Sequence, residues 1–95
     1  MSAYLIADIE VTDAIGYEEY KALVPAVISV HGGRYLARGG ATEVLEGTWQ
    51  PRRSAIIEFP SLAAFKDFWA SPEYAPLKAL RERCARSNLV VVEGL

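Results

Sequence analysis

The chain predicts a single α+β domain with the element order β-α-β-β-α-β. Three observations carry that expectation. Apolar stretches that alternate with polar residues, AYLIADIEV and SAIIEF, read as half-buried strands. Between and after them, apolar residues recur at helical spacing behind the cap-forming residues Thr12 or Asp13, Ser61 and Ser71. Two Gly-Gly pairs, Gly32-Gly33 and Gly39-Gly40, bracket a short strand and mark its turns.

Each element follows in order. Residues 3–11 form the first strand, with Leu5, Ala7, Ile9 and Val11 on one face and Tyr4, Ile6, Asp8 and Glu10 on the other. Thr12 or Asp13 caps a helix reaching about Val30, whose buried stripe is Tyr17, Tyr20, Val24, Val27 and Ile28. Pro25 removes one helical hydrogen bond and is expected to kink it. Gly32-Gly33 ends the helix. Arg34 to Arg38 is the second strand, and Gly39-Gly40 turns the chain into a short third one, Thr42 to Glu46. Residues 47–53 form a loop holding Trp49 and Pro51, and Ser54 to Phe59 is the next strand.

Ser61 caps a short helix with Phe65, Phe68 and Trp69 on one side. Ser71-Pro72 restarts it, Ser at the N-cap and Pro at the first helical position. The stripe there is Tyr74, Leu77, Leu80 and Cys84, with Lys78, Glu82 and Arg86 on the wet side. Leu89 to Glu93 closes the chain as a strand. This order, its hairpin allowing a bulge, specifies the ferredoxin-like arrangement, an antiparallel sheet with helices on one face.

Composition limits the function classes. The 95 residues hold one domain, 1–95, and a net charge of −2 with interspersed signs offers no basic stripe for nucleic acid. No stretch is apolar enough to span a bilayer. Cys84 is alone, so no internal disulfide forms, and a cytoplasmic protein is expected. A hydrophobic share of 52% is high for so small a body and leaves apolar surface over. On the helix-free face Tyr4, Ile6, Leu36 and Ile56 lie beside charged groups. Covering them with a second copy gains roughly 25 cal/mol per Å². A homodimer packed sheet to sheet is therefore expected. Asp8 or Glu10, Arg38 and Glu58 would then stand in a partly dry cleft, with Arg38 near a carboxylate. A small ligand would bind in the same place.

The pattern resembles the bacterial family called domain of unknown function 1330, within the dimeric α/β-barrel superfamily. The likeness is carried by Tyr17 and Tyr20, His31-Gly32-Gly33-Arg34-Tyr35-Leu36, and Arg38-Gly39-Gly40. It continues through Leu45-Glu46-Gly47, Trp49, Pro51-Arg52, Ile57-Glu58-Phe59-Pro60, Ser71-Pro72-Glu73-Tyr74 and Glu93-Gly94. The resemblance implies a ferredoxin-like protomer and a dimeric barrel, and it implies no agreed substrate. Relatives on this fold include cofactor-independent monooxygenases, haem-degrading enzymes, isomerases and ligand sensors, among which fold does not choose.

The candidate residues carry two readings each. Arg38 and Glu58 either recognise a ligand or form an internal ion pair. Glu46, beside Gly47, and Glu58 are the candidate catalytic bases, and Glu46 serves equally to bond turn amides. Tyr35, Arg38, Trp49, Asp8 and His31 are the candidate ligand-binding residues, with Trp49 over the opening. His31, the one side chain titrating near neutrality, is favoured as a helix C-cap over a haem or metal ligand. Cys84 on a helix stripe reads as core. No metal site or cofactor is expected. Whether the chain is a cofactor-free enzyme or a non-catalytic sensing or structural dimer stays open.

Overall fold

The computed structural model describes residues 1–95. Seven elements follow in order: β1 (Ala3–Val11), α1 (Ala14–Val30), β2 (Arg34–Arg38), β3 (Arg53–Phe59), α2 (Leu62–Trp69), α3 (Ala75–Cys84) and β4 (Ala85–Glu93). The strands form one antiparallel sheet in the order β2-β3-β1-β4. β1 and β2 are thus split by β3 with α1 crossing between them, the ferredoxin-like arrangement the element order predicts.

The alternation of β1 sorts as expected. Ala3, Leu5, Ala7 and Ile9 are buried under the helices, while Tyr4, Ile6, Asp8 and Glu10 look away from them. Asp13 caps α1 by accepting from the Gly16 amide at 3.3 Å, and Tyr17, Tyr20, Val24 and Ile28 form its buried stripe. His31 is the C-cap, and the Gly33 amide returns to the Ile28 carbonyl at 2.9 Å. Ser61 caps α2 through the Ala64 amide at 3.0 Å. Phe59, Phe65, Phe68 and Tyr74 complete the core, Phe68 and Tyr74 with ring centres 4.4 Å apart.

Three expectations need correction. Thr42 to Glu46 is not a strand, because the Gly39 amide bonds the Ser54 carbonyl at 2.7 Å and closes β2 directly onto β3. Residues 40–52 leave the sheet at that point, and no backbone ladder remains for them. Ser71-Pro72 opens a turn rather than α3 itself: Ser71 Oγ accepts from the Tyr74 amide at 3.1 Å, and the helix proper begins at Ala75. β4 starts at Ala85, directly after Cys84, so Arg86 belongs to a strand and not to the wet side of α3. The bulge that the hairpin allows is present in β2: Tyr35 pairs with Ile57 but Ala37 pairs with Ile56, leaving Leu36 as the extra residue.

Candidate functional site

The bulge at Leu36 decides where the site residues go. In a regular strand Arg34, Leu36 and Arg38 share the helix-free face. With one residue inserted, the side chains beyond it change sides. Arg34 still stands opposite Glu58 on the helix-free face, but Arg38 stands opposite Ala55 and turns toward α1. The expected cluster of Arg38 with Asp8, Glu10 and Glu58 does not form. Glu58 pairs instead with Arg34, Nε to Oε1 at 2.7 Å.

On the helix side Arg38 meets a need created by Pro25. Proline has no amide hydrogen, so the Lys21 carbonyl four residues earlier lacks its helical donor. Arg38 Nη2 donates to that carbonyl at 2.7 Å. α1 continues through Pro25 without a break. The same guanidinium lies over the Tyr35 ring, 4.6 Å from its centre.

Behind this pair is a cavity of ≈ 50 Å³ between the sheet and the helices. Its wall is mainly apolar, from Leu5, Ala7, Ile57 and Phe68 among others, with Tyr17, Tyr20, Tyr35 and Tyr74 adding phenols. Tyr20 and Tyr74 hydroxyls lie 3.1 Å apart, and Arg81 Nε donates to Tyr74 Oη at 3.4 Å. Arg53 and Arg38 also line it, Arg53 stacked 5.3 Å from the Tyr17 ring centre. Burial is the largest influence raising the pKa of Tyr17, Tyr20 and Tyr35, so at neutral pH these phenols are hydrogen-bond donors and not bases.

The helix-free face holds the other half of the predicted set. Asp8 accepts from Trp49 Nε1 at 3.0 Å and from the Arg52 amide at 2.8 Å, fastening residues 40–52 across the end of β1. Arg52 reaches Glu10 at 3.8 Å. Trp49 is 64% exposed and covers no opening to the cavity, which lies through the sheet. Glu46 is exposed on the same loop, away from the cavity wall. The hydrogen bond from Arg34 is the main cause holding Glu58 below the ordinary carboxylate range, which makes it a poorer base near neutrality. His31 Nδ1 donates to the Val27 carbonyl at 2.9 Å, and the ring packs on Phe68, outside the cavity wall. Burial raises the Cys84 thiol, and no group of three potential metal-binding side chains occurs.

Of the predicted residues, then, the structure brings Tyr35 and Arg38 together on one face and Asp8 and Trp49 on the other. Six polar residues of the cavity wall escaped the sequence reading as site groups: Tyr17, Tyr20 and Tyr74, assigned to the core, and Lys21, Arg53 and Arg81. The signal for Arg81 was present. Tyr74, Leu77, Arg81 and Cys84 are the buried positions of this segment, an i, i+3, i+7, i+10 series in which Leu80 is off the centre line. Reading the stripe by hydrophobicity rather than by angle replaces Arg81 with Leu80. Burial weighs against the Arg81 charge, and the neutral Tyr74 hydroxyl accepts one of its hydrogen bonds.

Fold and cavity define a two-layer α+β protein with an internal, phenol-lined pocket and no carboxylate or imidazole in its wall. The chain belongs to the family described as domain of unknown function DUF1330, whose model matches residues 2–95. Among solved structures it is similar to a protein of unknown function, RPA0582, from Rhodopseudomonas palustris. The TM-score is 0.80 at 21% identity, over 99% of this chain and 82% of that one. It is also similar to a dimeric ferredoxin-like protein of unknown function from Jannaschia sp. CCS1, with TM-score 0.72 at 14% identity over 99% and 100% of the two chains. A third is SnoaB, a cofactor-independent oxygenase from Streptomyces nogalater, with TM-score 0.70 at 14% identity over 99% and 93%. At these identities the likeness is one of fold. No curated protein matches the sequence.

Proposed function

We propose that this chain is a homodimeric binding protein for a small organic molecule, held in the cavity between sheet and helices. The helix-free face, where the sequence reading put the cleft, is assigned to the dimer contact. The observation that carries the reading is the convergence of four tyrosines on one small, mainly apolar cavity. Apolar walls with a few convergent donors are what small-molecule sites require.

The dimeric Jannaschia protein supports the assembly by analogy of fold. An oxygenase like SnoaB is described as working without a cofactor, and a similar activity is the second reading. Binding is preferred because neither Glu46 nor Glu58 reaches the cavity, so the chain offers donors there and no base.

Ala55 lines the cavity, and Ala55→Leu fills part of it. A thermal-shift screen of small organic acids, phenols and amides should give compounds that raise the Tm of the wild type and not of a folded Ala55→Leu variant. No stabilising compound at millimolar concentration, or equal shifts in both proteins, overturns the proposal.

A further inference from the structure

A chain with 12 acidic and 10 basic residues lines its cavity with Lys21, Arg38, Arg53 and Arg81 and with no carboxylate. Three of the four cations have other engagements. Lys21 pairs with Glu18 at 2.9 Å, Arg38 holds the Lys21 carbonyl, and Arg53 stacks on Tyr17. Arg81 differs from them. It is 5% exposed and belongs to none of the ion pairs, which are Lys21–Glu18, Arg34–Glu58 and Arg52–Glu10. Its one side-chain hydrogen bond is the 3.4 Å contact to Tyr74. A guanidinium carries five donors, and a buried one without a counter-ion is unfavourable until something supplies the charge.

We propose that the ligand is a small carboxylate whose charged end sits on Arg81, with the Tyr20 and Tyr74 hydroxyls as second donors. This rests on the cavity being the binding site. The two phenols share one proton across their 3.1 Å contact, which leaves the other hydroxyl hydrogen for the ligand. A carboxylate offers two oxygens in a plane that suits a guanidinium edge. A phosphate brings a second negative charge, which Arg81 as the one cation without another engagement does not match. The volume of ≈ 50 Å³ is well below the roughly 150 Å³ that admits benzene, so the enclosed part of the ligand is a carboxylate with a short carbon chain. A longer acid would extend toward Arg38 and Arg53, which also line an open surface depression.

The test compares isosteres on the intact protein. Propionate and propionamide have nearly the same shape, and only the first is charged. Calorimetric titration at pH 7 should show propionate binding at least about tenfold more tightly, a difference of about 1.4 kcal/mol. Inorganic phosphate should compete poorly. Arg81→Lys should retain weakened binding and Arg81→Gln should lose it. Should Arg81→Gln not fold, the Arg81 Nε–H resonance of the wild type should move on adding propionate and stay still with propionamide. Equal binding of acid and amide overturns the carboxylate assignment while leaving the cavity as a binding site. Tighter binding of phosphate than of propionate overturns it in favour of an inorganic anion. Propionate binding that Ala55→Leu leaves unchanged overturns the cavity itself.

Discussion

At Gly33 a methyl group would stand 2.6 Å from Ile28 Cγ2 and 2.9 Å from the Phe59 ring, with the Ile28 carbonyl at 3.1 Å. None of these can retreat easily, because Ile28 and Phe59 are core residues. Gly33→Ala is therefore expected to destabilise by about 1–3 kcal/mol in urea denaturation. A methyl at Gly40 meets nothing within 4 Å, and Gly40→Ala should stay within about 0.5 kcal/mol of the wild type. The two glycine pairs look alike in sequence and differ in what surrounds them. Arg38 makes a second prediction. If it serves the carbonyl that Pro25 orphans, Pro25→Ala restores the helical donor and removes the need. Arg38→Ala should then cost about 1 kcal/mol in the wild type and much less in the Pro25→Ala background. Purely additive effects in this double-mutant cycle would show that the 2.7 Å contact does not compensate for the amide Pro25 lacks. Glu58 supplies the pH dependence. Its pKa is lowered in the fold, chiefly by the Arg34 hydrogen bond, so its contribution is fully present above the ordinary carboxylate range. It is lost as pH falls through the depressed value. Arg34→Ala should move the Glu58 carboxyl titration upward in NMR; an unchanged midpoint would show that the pair does not hold the charge.

The sheet and helix faces were legible for physical reasons particular to each element. β1 is central, so its alternation is enforced from both sides, and the segment shows its period of two plainly. α1 and α2 begin at side chains that cap amides: Ser61 does so where the sequence places it, and of the two candidates Thr12 and Asp13 it is Asp13 that caps α1. β2 lies at an edge, where a bulge at Leu36 breaks no second ladder and leaves no compositional trace. That single residue moved Arg38 through the sheet and split the predicted site. Thr42 to Glu46 misled for a related reason. Its alternation suits a strand, but Gly39 and Ser54 had already closed the pairing. Residues 40–52 are held instead by Asp8, through Trp49 and the Arg52 amide. Asp8→Ala should lower hydrogen-exchange protection of the Arg52 amide by about tenfold, in line with the loss of one charge-assisted hydrogen bond. Unchanged protection would mean that the loop is held elsewhere.

As a whole the molecule is a slab of 35 × 33 × 17 Å with helices on one side only. Its other side keeps Tyr4, Ile6 and Ile56 half-buried at the centre, and leaves Val90 and Val92 exposed on β4. Register puts Ile56 and Val90 on either side of Ile6, so these three form one contiguous apolar strip across the sheet. A strip of this kind on so thin a body is stabilised when a second sheet covers it, and a two-fold axis lets the same residues serve both copies. Sedimentation at micromolar concentration should then give about twice the 10.4 kDa protomer mass. Ile6→Lys tests the location. In a monomer the Lys stem lies along Ile56 and Val90 and its ammonium reaches water, so the fold persists. In a dimer packed through this face two such ammonium groups are enclosed, and desolvation opposes assembly. The variant should sediment as a monomer with an unchanged far-UV spectrum. A dimeric Ile6→Lys protein would move the contact away from this face, and a monomeric wild type would remove it altogether.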